Sequence, residues 1–315
     1  MENERKRKSF FQKKDRPDLM PEDTSPTLAY FFKLLGRKAG KLLSLNLLMV
    51  LQVLPLVIAV FVYMMGAKTP TVESPMYAPL LGTYIAGGSP IAGTLLGLFG
   101  RQLDIPVMTT GRLIVILCLV GFTLLTWGWQ NVGAVYNLRS MVRGDSCFLW
   151  SDFFYAIRRN LVQGFLFGII DFIIIGLLGF NIYFYFTLST EFSYGVMYAI
   201  SIALAVFYIC MRTYIYPMMI TFDLSIYKLL KNGLIFTLLG IKRNIMMLLG
   251  MLLVVVITLA LVFGGLASGL SFTLILPFFY FLPLVGFIGI YAAYPNIKRY
   301  MIDPYEQPED TVEED

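Results

Sequence analysis

Apolar residues gather in six long runs along this chain, with polar and charged residues between them. The runs cover about 42–65, 113–136, 161–186, 192–216, 245–266 and 272–294. A helix rises about 1.5 Å per residue, so each run crosses a hydrocarbon core of about 30 Å. The pattern predicts an all-α fold: a polytopic transmembrane helical bundle of about six spans. The first apolar run is of full span length and follows a long basic segment. It reads as a retained transmembrane helix, not as the short apolar core of a signal peptide.

Three shorter stretches have helical periodicity with basic residues. From Leu28, the positions Phe31, Leu35, Ala39 and Leu42 recur every three or four residues, while Lys33, Arg37 and Lys41 sit four apart on another face. This helix is expected to begin at Ser25-Pro26, since Ser caps helix N-termini and Pro is tolerated at the first position. In Cys147–Asn160, the residues Phe148, Leu149, Phe153, Phe154 and Ile157 mostly share a face, closed by Arg158 and Arg159. In Ser225–Ile235, Lys228 and Lys231 stand beside Ile226, Leu229, Leu230 and Leu234. A basic amphipathic helix thus precedes spans one, three and five. Such helices suit the headgroup layer, in contact with lipid or a partner, or pack on the protein's own polar end. Three helical pairs of one design hint at an internal duplication, carried by pattern and not by identity.

The rest of the organisation follows from the breaks. Residues 1–24 are polar, contain Arg5, Lys6, Arg7 and Lys8, and read as a disordered basic tail. The transmembrane domain covers 25–300, and 301–315 is an acidic tail, with seven acidic residues from Asp303 onward. Residues 66–112 form the one long insertion. Its stretch Tyr77–Phe99 is apolar but carries Pro79, Gly82, Gly87, Gly88, Pro90, Gly93 and Gly97. Those breakers argue against a straight lipid-exposed helix. A cap of short helices or a buried hairpin is favoured over a seventh crossing.

Composition agrees with a bilayer as the main solvent: 57% of residues are hydrophobic and 14% charged, against about 25% charged in soluble domains. Of the 25 Lys and Arg, all but Lys68, Arg101 and Arg112 fall on one side of the six-span layout. The positive-inside rule then places both termini in the cytoplasm. The net charge of +5 follows from this topology and does not point to nucleic acid.

Little catalytic chemistry is encoded. Histidine is absent, which removes the commonest general base and metal ligand. Cys118, Cys147 and Cys210 are far apart, without metal or disulfide spacing. Walker A, Gly-x-Ser-x-Gly and His-Glu-x-x-His strings are missing. No cofactor is expected.

The residue that stands out is Asp171, about 15 Å into span three and the only acid well inside a span. An ionised Asp at mid-bilayer costs about 2.5–3.5 kcal/mol on insertion scales. One reading is a proton, cation or substrate site in a cavity. The other, which leads because no basic residue lies deep enough to partner it, is a protonated Asp hydrogen-bonded to a neighbouring helix. Arg212 counts with the basic end of span four. Gln52, Gln130 and Asn131 complete a candidate intramembrane polar set, and Asn46, Asn137 and Asn181 are further polar residues in the spans. Such side chains normally bond between helices. The run Trp127-Gly128-Trp129-Gln130-Asn131 could alternatively line a cavity and stack on a sugar.

Four strings carry a resemblance to a family. Leu45-Asn46-Leu47-Leu48 followed by Leu54-Pro55, Trp150–Gly164, Tyr214-Ile215-Tyr216-Pro217 and Leu230-Lys231-Asn232-Gly233-Leu234 are similar, in order and spacing, to segments of the YesL-like bacterial membrane proteins, whose function is unknown. Gly233 stands where that family has Ala, and the 66–112 insertion and charged tails depart from its pattern. The resemblance implies a compact bundle of about six spans in the bacterial cytoplasmic membrane. It also implies a link to carbohydrate uptake or utilisation, and supplies no site residues. The expectation is a non-enzymatic accessory or assembly protein whose partners are the lipid bilayer and a carbohydrate transporter subunit. Lys33, Arg37, Lys41, Arg158 and Arg159 would make the contacts. A small transporter or channel built around Asp171 is the alternative.

Overall fold

The computed structural model describes residues 26–64, 68–70, 77–99, 104–188 and 191–305. Among them are ten α-helices and one two-stranded ribbon of three residues per strand. Six helical segments are long and apolar enough to cross a membrane: Leu28–Met64, Thr110–Arg143, Leu161–Thr187, Phe192–Thr221, Ile241–Ala267 and Ser271–Tyr305. The protein is an all-α, multi-pass membrane protein. The tail read over 1–24, with Arg5, Lys6, Arg7 and Lys8, lies outside the described residues, as do 306–315. Asp303–Tyr305 form a 3-10 turn.

The chain divides into residues 1–37 and 38–315. In the first unit, α1 (Leu28–Met64) starts with Thr27 Oγ1 accepting the Tyr30 N–H at 3.3 Å. The cap is therefore Thr27. Ser25 lies outside the described residues.

In the second unit, β1 (Lys68–Pro70) pairs antiparallel with β2 (Asp104–Pro106), Thr69 opposite Ile105. Between them, α2 (Tyr77–Gly87) and α3 (Pro90–Phe99) form a hairpin that turns at Gly88, whose φ of 57° suits glycine. Helices of 11 and 10 residues reach only about 16 Å, so neither is a crossing.

Two long–short–long modules follow. The first is α4 (Thr110–Arg143), α5 (Leu149–Arg159) and α6 (Leu161–Thr187). The second is α7 (Phe192–Thr221), α8 (Ile226–Leu239) and α9 (Ile241–Ala267). α10 (Pro277–Ile297) completes the bundle. One residue separates each short helix from the long one after it: Asn160 in the first module, Gly240 in the second. Gly240 has a spatial reason, since a Cβ there would strike the Tyr214 hydroxyl and the Asn296 amide.

Local sequence explains the ends. α4 stops at Gly144, in the left-handed region at φ 82°, where its N–H reaches the Met141 and Ser140 carbonyls. Ser225 Oγ accepts the Lys228 N–H and caps α8. α7 runs past Pro217 to Thr221, beyond the end read at residue 216. The proline removes one donor only, while Ile215, Met218, Met219 and Ile220 are buried around it and hold the last turn in place.

The core sits at the end of the bundle that carries α5 and α8. Val132, Ala156, Phe167, Tyr214, Tyr216, Leu229, Phe236, Ala293 and Ile297 meet there from six helices. Farther along, α4 and α6 approach until backbone meets backbone. A Cβ on Gly128 would overlap the Gly164 carbonyl and the Gly168 Cα. Gly164 and Gly168 are four apart, the small-x-x-x-small spacing of close membrane helix pairs. From residue 38 on, α1 is tied by polar side chains. Lys38 and Lys41 donate to the Asp145 and Cys147 carbonyls at 3.2 and 3.1 Å, Asn46 donates to the Phe278 carbonyl, and Gln52 to that of Trp127.

Candidate functional site: a charge pair inside the bundle

Asp171 lies ten residues into α6, wholly buried. Gly168, one turn before it, lets α4 approach and so brings the Trp127 indole N–H to the carboxylate. Facing it from α7 are Tyr208, Arg212 and Tyr216, spaced four apart and hence on one helical face. Asp171 Oδ1 accepts from the Tyr208 hydroxyl at 2.8 Å and from Arg212 Nε at 3.0 Å. Oδ2 accepts from Trp127 Nε1 at 2.8 Å, the Tyr216 hydroxyl at 2.7 Å and Arg212 Nε at 2.9 Å.

Four donor groups thus address one carboxyl group, and a proton on either oxygen would displace one of them. The arrangement suits an ionised carboxylate neutralised by a guanidinium. Arg212 is held in turn: Nη2 donates to Asn131 Oδ1 at 2.6 Å, and the cation stands over the Tyr216 and Trp127 rings at 5.0 and 5.8 Å. Asn131 donates to the Trp127 carbonyl of its own helix at 2.7 Å. Gln52 donates from α1 to the same carbonyl at 3.3 Å.

These positions correct the reading of Asp171 as a protonated acid without a basic partner. Arg212 lies nine residues before the end of α7, not near a span terminus at 216, so it stands about 14 Å inside the helix. The Tyr216-Pro217 step looked like a helix end, and that hid its depth. The Tyr208–Arg212–Tyr216 spacing was the signal that could have found it. Of the predicted polar set, Asp171 and Asn131 join the cluster and Gln52 touches its edge. Gln130 makes no hydrogen bond to it, and its Oε1 is buried without a hydrogen-bond partner. Trp127 is committed to Asp171, and Trp129 donates to the Leu161 carbonyl at 2.7 Å, so neither indole N–H is free for a sugar.

The predicted surface cations divide. Lys41 ties α1 to the α4–α5 linker and so contacts the protein's own backbone. Arg158 and Arg159 are exposed on α5, on whose surface Trp150 and Phe154 also stand exposed and stacked, at 6.4 Å. Lys33 and Arg37 belong to the first unit.

Among the described residues, no group of three His, Cys, Asp or Glu is placed to hold a metal. An open recess of about 720 Å³ lies beside the α2–α3 hairpin, lined by Tyr84, Pro90, Gly93, Thr94, Leu96 and Ser271. None of the Asp171 cluster lines it. No family model matches this chain, and no curated protein or solved structure matches it.

Proposed function

We propose that this protein is a non-enzymatic accessory or assembly protein of the bacterial cytoplasmic membrane, with both termini in the cytoplasm and a role in carbohydrate uptake or utilisation. The observation that supports it is the saturated carboxylate of Asp171. Both oxygens are filled by protein donors from α4 and α7. A transport site must release its partner and accept another, whereas this pair joins three helices in one arrangement. The bundle is then a rigid scaffold, and its working surfaces are the helices α5 and α8. The carbohydrate link rests on the resemblance to the YesL-like proteins.

A small transporter is the second reading, favoured by one observation: the Arg212 side chain keeps 27% of its surface exposed. Purified protein in liposomes tests the two readings. The scaffold reading expects no solute flux, together with copurification of a carbohydrate permease subunit from native membranes. Flux abolished by Asp171→Asn, at unchanged protein level, would overturn it.

A further inference from the structure

A second arginine is buried without an acid. Arg139 lies on α4 one turn before its end and is 9% exposed. Nη1 donates to Thr221 Oγ1, on the last residue of α7, at 2.6 Å, and the guanidinium stands over the Tyr136 ring at 5.1 Å. Nε is buried with no partner. Among the described residues, no carboxylate pairs with it. Its neighbour on the same helical face, Arg143, takes Asp145 at 3.1 Å. Lys38 and Lys41, at the same linker, end on backbone carbonyls and bring no negative charge.

A buried charge left unpaired is strongly destabilising. Asp171 and Arg212 show how this bundle compensates such a charge internally; no described acid does so for Arg139. Its free edge is informative. With Nη1 committed to Thr221, the Nε and Nη2 hydrogens remain, and they point the same way as a side-on fork. That fork matches two oxygens of one anion. Arg139 lies in the last turn of α4, at the end of the bundle that carries α5 and α8. There Arg158, Arg159, Lys228, Lys231 and Lys242 are exposed and add positive potential.

We propose that Arg139 is the anchor of a phosphate-binding site between the ends of α4 and α7, taking either the headgroup phosphate of an anionic phospholipid or a soluble phosphate. This inference is independent of the function proposed above. Thr221 orients the guanidinium, Tyr136 backs it, and Arg143 and the exposed cations draw the anion in.

Delipidated protein in non-ionic detergent tests it by thermal unfolding. The probes are phosphatidylglycerol, phosphatidylcholine and inorganic phosphate at constant ionic strength. Wild type should be stabilised saturably by phosphatidylglycerol or by inorganic phosphate, and more weakly by phosphatidylcholine. Stabilisation by the lipid alone assigns the headgroup, and by phosphate alone the soluble anion. Arg139→Gln should weaken binding about tenfold or more, the scale of one charge-assisted hydrogen bond. Arg158→Gln with Arg159→Gln should weaken it less than about threefold, as exposed charges do. Without ligand, Arg139→Gln should melt no lower than wild type, because it removes an unpaired charge; a purely structural arginine would lower the melting point. If the glutamine variant does not accumulate, Arg139→Lys keeps the charge and loses the fork, and it should bind about tenfold more weakly. Equal binding by wild type and either Arg139 variant overturns the proposal. So does indifference of wild type to both phosphate sources, including the case in which removing residues 306–315 is needed to reveal any binding.

Discussion

Taking the charge from Asp171, as asparagine does, leaves Arg212 without its counter-charge and one amide oxygen to serve four donor groups. Asp171→Asn should lower stability by about 3 kcal/mol, the cost of breaking a buried pair from one side. Asp171→Leu with Arg212→Met should recover much of that, because both charges leave together. Unfolding in detergent, followed by circular dichroism, distinguishes the two; equal losses would mean the pair is not the source of the cost. Cys147 permits a pH test at the same scale. Burial pushes its thiol up, and the Asp152 carboxylate nearby adds to the shift. The thiolate is the reactive form, so a raised value leaves less of it at any given pH. Labelling by a water-soluble maleimide should be slower than for an unperturbed thiol near pH 8 and should rise as pH increases. Labelling at the rate of free cysteine would contradict the buried placement.

Helix pairing is set by small residues more than by large ones. Gly128 of α4 lies against Gly164 and Gly168 of α6, and no side chain fits between the backbones. Gly168→Leu should cost more than about 3 kcal/mol, the upper range for overpacking, and should also separate Trp127 from Asp171. The readout is indole fluorescence alongside the melting point, since a changed Trp127 environment follows only if the two helices part. Gly264, with open space around it, serves as the control: Gly264→Ala should be nearly silent in the same assays. The short helices follow a different rule. Phe153 packs its ring on Gly133, where a Cβ could not stand, so α5 is fixed to α4 by one large residue over one small one. Phe153→Ala should cost about 3–5 kcal/mol by the usual scale for buried aromatic truncation.

At the scale of the whole molecule, the charge distribution should decide orientation. Reporter fusions check it. A fluorescent protein after Tyr305 should fold and fluoresce, and alkaline phosphatase inserted between residues 188 and 191 should be active outside. The reverse pattern at either site would invert the proposed topology. The two modules, α4–α5–α6 and α7–α8–α9, also meet at the Asp171 cluster: the acid belongs to the first module and Arg212 to the second. Their paired design appears in the sequence only as basic amphipathic stretches before apolar runs. Its structural form is one-residue breaks at Asn160 and Gly240.

Several features were legible without a structure, each for a local physical reason. Six apolar runs of span length have to be helical, because a backbone in lipid must satisfy its own hydrogen bonds. α5 and α8 follow from helical periodicity, and the breakers in Tyr77–Phe99 mark short helices. Asp171 was visible because a charge in an apolar run is costly wherever it lands. What it lands against was not visible. Its partners come from Trp127 and from Arg212, 44 residues before it and 41 after it, and only helix packing brings such distant positions to within 3 Å. The same holds for Arg139. Its sequence position reads as one more cation at a basic end. Burial between α4 and α7, with the neighbouring acid already taken by Arg143, is what leaves it without a counter-charge among the described residues.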